Sequence, residues 1–208
     1  MRPRASTPVS GRRVLAATAV GYLFGSLPSA DLAGRLASSA QPHDLRAEGS
    51  GNPGALNVAE VIGWQWGLGV LAADVGKGAS AALLGRAVGG DQGAYAAATA
   101  AIAGHVAPPW SNFRGGKGIA TSAGACLAVF PAYFPVDVGV ATLAAMTSRG
   151  TTPTIRWSCA AWTTAAVLWW RRQLPNAWGP QPTTALPAFA ALSSVIILTR
   201  VAIGDRSR

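Results

Sequence analysis

The sequence predicts an all-α, polytopic integral membrane protein with six to seven transmembrane helices and glycine-rich loops at one face. Three observations predict it. Half of the 208 residues are hydrophobic and 12% are charged, about half the ~25% usual for a soluble domain. Most charges fall between apolar runs, so no polar face at the helical period is left to solvate a bundle in water. Three segments rich in small residues, each with a cation, break the apolar pattern. A soluble, Ala-rich helical bundle is the weaker alternative. The two cysteines, Cys126 and Cys159, exclude a disulfide-stapled secreted module, and the length suits a single membrane domain over 1–208.

The runs can be placed in order. The first extends from Val14 to about Ala40, interrupted by Asp31 and Arg35, and the second from about Val58 to Leu84, with Asp74 and Lys77 inside it. The third is the Ala-rich stretch from Gly93 to Pro108. Ile119 to Met146 is either one overlong helix or two short ones hinged at Pro131 and Pro135. Trp157–Trp170 and Leu186–Ile203 complete the set. A spanning helix needs about 20 apolar residues. The first two runs meet that, while the sixth is short and is expected to be tilted or partly buried. Residues 1–13 are expected to form a basic, disordered tail. Arg12-Arg13 faintly echoes a twin-arginine signal, but no small-residue cleavage site follows and the apolar run continues past Pro28. An uncleaved helix is therefore expected. Basic residues divide almost evenly between the two sides of a seven-helix arrangement, so the positive-inside rule decides nothing.

The net charge of +9 suits nucleic acid, anionic lipid or a phosphorylated substrate. Its placement narrows the choice. The segment from His43 to Asn57 carries glycines at 49, 51 and 54. These allow backbone N–H groups to converge into a nest at the start of the helix beginning near Val58, an arrangement that binds anions. Asn52 and Asn57 add donors and acceptors. The spacing fits neither a Walker loop nor a dinucleotide fingerprint, and no strand precedes it. A plain turn is the competing interpretation. A second segment, Asn112 to Thr121, places Gly115, Gly116 and Gly118 around Lys117 beside Arg114. It suits a phosphate at a helix N-terminus; a basic loop at a lipid headgroup surface is the competing interpretation.

A third segment, Gly25-Ser26-Leu27-Pro28, precedes Asp31 and Arg35. Pro28 is expected to kink the first helix, free the carbonyl near Phe24 and aim Ser26 at a polar cavity. Asp31 and Arg35, four residues apart, are placed to pair with each other. Asp74 and Lys77 form a similar ionisable couple on the second helix, and such groups at membrane depth usually face a functional interior. His43 and His105 can each act in proton transfer or serve as hydrogen-bonded helix-end residues. No HExxH, Cys/His cluster or GxSxG elbow is present, so neither a metal nor a covalent serine is expected.

Taken together, these segments resemble the bacterial membrane-embedded glycerol-3-phosphate acyltransferases of PlsY type. Gly21-Tyr22-Leu23-Phe24-Gly25-Ser26-Leu27-Pro28 with Arg35 is similar to the first motif of that family, and Arg46 through Asn57 to the second. Asp74-Val75-Gly76-Lys77-Gly78, Gly104-His105 and Gly115 through Thr121 follow in the family's order. The resemblance covers roughly residues 20–125 well and the last 80 poorly.

It implies an all-helical enzyme of the inner (plasma) membrane, multi-pass, with its site and glycine loops facing the cytoplasm. The reaction implied is transfer of an acyl chain from acyl phosphate to the 1-hydroxyl of glycerol 3-phosphate, giving lysophosphatidate for phospholipid biosynthesis. The partners are then glycerol 3-phosphate, acyl phosphate and membrane lipid, with no nucleic acid and no cofactor. The catalytic residues implied are Ser26, Arg35, His105 and Lys117. Substrate binding falls to Arg46, Gly49, Ser50, Gly51, Asn52, Gly54, Asn57, Asp74, Lys77, Arg114, Gly115, Gly116, Gly118 and Thr121. The 49–57 loop would take glycerol 3-phosphate, and Lys117 with Arg114 the phosphoryl charge.

The chain departs from the family at its C-terminal end. At Thr199-Arg200-Val201-Ala202-Ile203 only Arg200 and Ile203 match, and Thr199 and Ala202 replace a functional His and Asn. Ser148-Arg149-Gly150-Thr151-Thr152 is a blurred match to another family segment, and Leu56 stands where Thr is usual. A slow enzyme, one using His105 or His43 instead, one with a different acceptor, and an inactive chain all remain open. The alternative class is a catalytically impaired homologue that binds anionic lipid or a phosphorylated metabolite as a regulator; a small transporter of phosphorylated solutes is a third.

Overall fold

The structure is a computed structural model that describes residues 10–38, 41–147 and 150–206. It contains α1 (Gly11–Gly25), α2 (Ser29–Ala37), α3 (Ala55–Val61), α4 (Trp64–Val106), a single turn at Pro109–Ser111, α5 (Ile119–Val129), α6 (Phe134–Thr147), α7 (Thr151–Arg172) and α8 (Ala185–Arg206). Among the described residues there is no strand.

Each break in the apolar pattern has a local cause. Pro28 separates α1 from α2 completely instead of kinking one helix. Phe24 O is not freed, because it accepts from Leu27 N at 3.3 Å. α4 contains two non-helical residues, Gly89 and Gly90, the latter at φ 61°. There it folds into two antiparallel arms, 64–88 and 91–106. A Cβ on Gly85 would collide with the Ala97 side chain, and one on Gly93 with Gly85 O. The stretch 119–146 forms two helices, with Pro131 in the turn between them and Pro135 in the first turn of α6. Pro suits such first-turn positions because its missing N–H has no partner there anyway.

Small residues set the helix spacing. Ala17, Gly21 and Gly25 recur at four-residue intervals along α1. A Cβ on Gly21 or Gly25 would overlap the backbone of Ala97 or Ala101, and one on Gly104 the carbonyl of Tyr22. α1 therefore lies directly against the second arm of α4, as small-xxx-small seams allow in membranes. Gly78 against Thr121 O and Gly124 against Val75 O bring α5 onto the first arm in the same way. The larger core side chains, among them Tyr95, Ile102, Phe130, Tyr133, Trp162 and Phe189, fill the space between the second arm, α5, α7 and α8. Trp162 meets Phe189 edge-on at 5.1 Å.

Two ends result. At one, Arg86 bonds Asp91 at 3.0 Å and Trp178 O at 3.1 Å, while Trp178 Nε1 and Asn176 Nδ2 tie the 173–184 loop to the carbonyls of Leu127 and Val129. At the other end lie Ser26–Ser29, the 41–54 loop, residues 107–118 and the last turns of α8.

Among the described residues, the stretch Trp64–Ser111, which holds both arms of α4, and Ala185–Gly204 are long and apolar enough to cross a membrane; Ile119–Val129 and Phe134–Thr147 are shorter apolar helices. The sixth run proves longer than its apolar core, since α7 begins at Thr151, ahead of Arg156, and continues through Arg171 and Arg172. α1 starts at Gly11, which puts Arg12 and Arg13 in its first turn instead of in a tail. Residues 1–9, with Arg2 and Arg4, lie outside the described residues, as do Ser148 and Arg149.

Candidate active site

A narrow cleft opens at the end opposite the α4 hinge, where α1 stops, α4 finishes and two loops meet. Ser26, Pro28, Arg46, Lys77, His105 and Gly116 are among its lining residues. Ser26 follows the last residue of α1. Its Oγ donates to Leu23 O at 2.8 Å, and Trp110 Nε1 donates to Ser26 O at 2.7 Å and to Oγ at 3.1 Å.

The floor is a buried polar cluster centred on Asp74, which is 1% exposed. Asp74 Oδ1 accepts from Ser29 Oγ at 2.5 Å and pairs with Lys77 Nζ at 2.8 Å. Lys77 Nζ also donates to Leu27 O at 3.1 Å, a carbonyl left without a helical partner by the break at Pro28. His105, 7% exposed, places Nδ1 3.6 Å from the same Asp74 oxygen. Its Nε2 faces Gly116, where an added Cβ would strike that nitrogen. Gly116 N donates to His105 O at 3.2 Å and Gly115 N to Val106 O at 3.0 Å, so the 115–118 loop is laced to the end of α4. An acidic, a basic and an imidazole group thus share one buried place, where removing Asp74 or Lys77 would leave the other's charge uncompensated.

The rim is cationic. Arg46 grips both oxygens of Asp31, at 2.5 and 3.1 Å, and sends Nε to Arg114 O at 2.8 Å. Ser111 Oγ adds a bond to Asp31 at 3.0 Å. The expected Asp31–Arg35 pair is therefore replaced: Arg46, arriving from the next loop, offers the bidentate fork that carboxylates favour, and Arg35 is left exposed at the end of α2. From α8, Arg200 donates Nε and Nη2 to Gly115 O at 3.2 and 2.9 Å. It lies within electrostatic reach of Arg114 and Arg46.

The 43–57 loop is held by its own side chains. Gly49 and Gly51 take the positive φ values foreseen for them, 56° and 68°, whereas Gly54 is extended. Asn57 is buried and turned inward: Nδ2 donates to the carbonyls of Leu45 and Glu48, and Oδ1 accepts from Ser50 N at 2.6 Å and Ser50 Oγ at 3.0 Å. Glu48 binds Asp44 N and His43 Nδ1, both at 2.8 Å, which ties His43 into the turn and away from the cleft.

Among the residues singled out from sequence, Ser26, Arg46, Lys77, His105, Gly115 and Gly116 meet at the cleft, with Asp74 directly behind. Gly49, Ser50, Gly51, Asn52, Gly54 and Asn57 shape the neighbouring loop, whose Pro53 reaches the lining. Lys117 is half-buried beside Gly116, and Arg114 is exposed. Gly118, at φ 84°, turns the chain into α5. Thr121 lies elsewhere: it is fully buried where α5 meets Gly78. Sequence reasoning missed Ser29 and Trp110 and did not assign Arg200 to the site. For Arg200 the signal was present, since it survives in an otherwise degraded C-terminal stretch; for Ser29 it was only a hydroxyl next to Pro28.

Fold and site together define an all-helical membrane protein with a polar, cation-rimmed cleft at the ends of its helices. The chain belongs to the glycerol-3-phosphate acyltransferase family, whose model matches residues 15–203. A glycerol-3-phosphate acyltransferase of Symbiobacterium thermophilum is 39% identical over 62% of this chain and 63% of its own length. Glycerol-3-phosphate acyltransferase 2 of Moorella thermoacetica is 45% identical over 56% of this chain and 59% of its own. The chain thus spans about three-fifths of the curated relatives it matches. Among solved structures, PlsY (YgiH), an integral membrane glycerol 3-phosphate acyltransferase, has a similar fold. Its glycerol 3-phosphate form gives a TM-score of 0.75 at 26% identity, covering 93% of this chain and 90% of that one. Its lysophosphatidic acid form gives 0.74 at 25% identity, with the same coverage. The family resemblance read from the loops is thereby borne out.

Proposed function

We propose that the chain transfers an acyl group from acyl phosphate to the 1-hydroxyl of glycerol 3-phosphate, releasing lysophosphatidate and inorganic phosphate for phospholipid biosynthesis. The observation that carries this is the convergence of Arg46, Lys77, His105 and the Gly115-Gly116 backbone on one cleft, with Asp74 buried behind them. Both substrates bear phosphate, and a cationic, glycine-bounded cleft suits them. Because acyl phosphate is an activated mixed anhydride, the protein need only align the groups and stabilise developing charge.

In the proposed reaction the glycerol oxygen attacks the acyl carbon and an ester bond forms. The bond from that carbon to the phosphate oxygen then breaks, and phosphate leaves with the electron pair. His105 Nε2 takes the hydroxyl proton, its other nitrogen being turned toward Asp74. Arg46, Arg114 and Lys117 offset the phosphoryl charge, Ser26 orients a substrate at the mouth, and the 49–57 loop borders the glycerol 3-phosphate subsite.

The same reading has the chain cross the inner membrane seven times, by α1, both arms of α4, α5, α6, α7 and α8. α2 and α3 then lie at the cleft end, which faces the cytoplasm, and the N-terminus is on the other side. The relatives' names and the PlsY fold support the activity. The exposed apolar side chains along the helices, such as Leu15, Leu83, Leu143, Leu168 and Val195, support the bilayer.

The test is purified full chain in detergent with glycerol 3-phosphate and palmitoyl phosphate, following phosphate release. Glycerol 3-phosphate-dependent release is expected, and release undiminished in Arg46→Ala and His105→Gln would sink the site. One observation favours the impaired-homologue reading: Thr199 and Ala202 are exposed on α8, and Arg200 is the α8 side chain bonded to the cleft rim. Binding of glycerol 3-phosphate without release would select that reading.

A further inference from the structure

An acidic side chain lines the cleft to which two phosphorylated substrates are assigned. Asp31, in the first turn of α2, faces the same space as Lys77 and His105. Asp74 is neutralised behind the wall by Lys77, its neighbour on α4. Asp31 instead takes its cation from another loop. Arg46 Nη1 and Nη2 donate to its two oxygens at 2.5 and 3.1 Å, and the two side chains are only 24% and 17% exposed. This parallel fork is the geometry by which a guanidinium holds a carboxylate or a phosphate alike. Arg46 Nε is committed to Arg114 O at 2.8 Å. The edge of Arg46 that suits a phosphate is therefore the edge that Asp31 occupies.

Asp31 has two other holds. Ser111 Oγ donates to its Oδ2 at 3.0 Å. Arg35, four residues further along α2, is exposed and makes no hydrogen bond or ion pair among the described residues. Side chains at that spacing are neighbours on a helix face. Arg46 can thus leave without stranding a half-buried carboxylate, which would otherwise oppose its departure.

We propose that Asp31 is a built-in competitor for the substrate phosphate on Arg46. A phosphate entering the cleft takes the fork, and Asp31 passes to Arg35 while Ser111 keeps its hold. This rests on the acyltransferase reading and adds to it a residue that sets the phosphate affinity of that site. A dianionic phosphate brings more charge and more acceptor oxygens than a carboxylate, so it prevails where a weaker anion does not. The apparent affinity is scaled by the fraction of Arg46 that is available. If Asp31 holds Arg46 about nine-tenths of the time, binding is weakened about tenfold.

The test is calorimetric titration of the purified full chain with glycerol 3-phosphate, which needs no turnover. Asp31→Asn keeps the size of the side chain and its acceptor for Ser111, and about tenfold tighter binding is expected. Unchanged or weaker binding overturns the proposal, because Asp31 would then serve only to hold Arg46 in place. Simple repulsion between carboxylate and phosphate would also predict tightening, but it would persist without Arg46. In an Arg46→Ala background the gain from Asp31→Asn should fall below about twofold; a full tenfold gain there overturns the competition. Arg35→Ala, a change on an exposed side chain with no bond to lose, reads the other half of the exchange. It should weaken binding about threefold when Asp31 is present and leave it unchanged in Asp31→Asn. Equal effects in both backgrounds, or none in either, overturn the exchange. Phosphate release from the unaltered chain without these shifts removes the competitor and leaves the acyltransferase reading standing. The shifts without release remove that reading and keep the competitor, and no binding by either the unaltered chain or Asp31→Asn removes both.

Discussion

Asp74 gathers three partners within a volume that water hardly reaches, which makes it the residue on which stability and chemistry are most closely joined. Removing it strands Lys77, and a lone buried charge costs about 3–5 kcal/mol. Asp74→Ala is therefore expected to lower the thermal unfolding midpoint in detergent markedly. The pair Asp74→Asn with Lys77→Met should recover most of that loss while phosphate release stays abolished; recovery of release as well would show that the cluster is only structural. Arg46 makes a second prediction at this scale. Arg46→Lys keeps the charge but loses the fork on Asp31 and the bond to Arg114 O. A rise of about tenfold in KM for glycerol 3-phosphate is expected, equivalent to about 1.4 kcal/mol or one charge-assisted hydrogen bond. Gly116→Ala would push against His105 Nε2, and a drop of about a hundredfold in kcat with unchanged helical circular dichroism is the expected outcome.

Much at this scale was legible, because glycine, lysine and histidine in short loops carry a chemical signature that does not depend on distant contacts. Partner choice was not. The four-residue spacing of Asp31 and Arg35 suggests a pair, yet Arg46 wins because its loop returns over α2 and presents two parallel donors. Asn57 looked like a ligand donor and is a clamp, since each end of its amide finds a partner inside the loop.

At the scale of elements, the seam between α1 and the second arm of α4 depends on the absence of side chains. Gly25→Leu would drive a branched side chain into the backbone of Ala101. Overpacking of this kind costs typically about 1–3 kcal/mol, so the unfolding midpoint should fall even though hydrophobicity rises. A matching Gly76→Leu change faces open space and should leave the midpoint unaltered or raised, which makes it the control. The apolar runs located most helix cores well because they follow directly from hydropathy. They missed the flanks: α7 begins before Trp157 and ends beyond Trp170, at arginines that belong to the helix without belonging to an apolar run. They also left the gap between Leu84 and Gly93 unassigned. There, helix continues through residue 88 and turns back at Gly89 and Gly90, a geometry that requires the positive φ which Gly90 supplies.

For the whole molecule, the path of the chain separates the arginines into two groups. Arg12, Arg13, Arg86, Arg171 and Arg172 belong to the hinge end, and Arg46, Arg114 and Arg200 to the cleft end. Cys126 and Cys159 are both buried, so single reporter cysteines can be added without removing them. In sealed inverted membrane vesicles, whose outer surface is the cytoplasmic one, Arg114→Cys should react with an impermeant maleimide and Arg171→Cys should not; the reverse pattern would turn the proposed orientation around.

By itself the sequence determined that this is an apolar helical chain of the glycerol-3-phosphate acyltransferase family, where most of its helix cores lie and which glycine-rich segments interrupt them. Those properties reside in local composition and in backbone freedom. The tertiary structure alone decided that Asp74, Lys77, Ser29 and His105 share one buried cluster, that Arg46 takes Asp31 from Arg35, and that Arg200 reaches the rim from α8. Each of these joins residues far apart in the chain, and such contacts exist only once glycine seams have drawn the helices to within backbone distance. The surplus of positive charge thereby acquires a geometry, with part of it rimming the cleft and the rest held at the far end of the bundle.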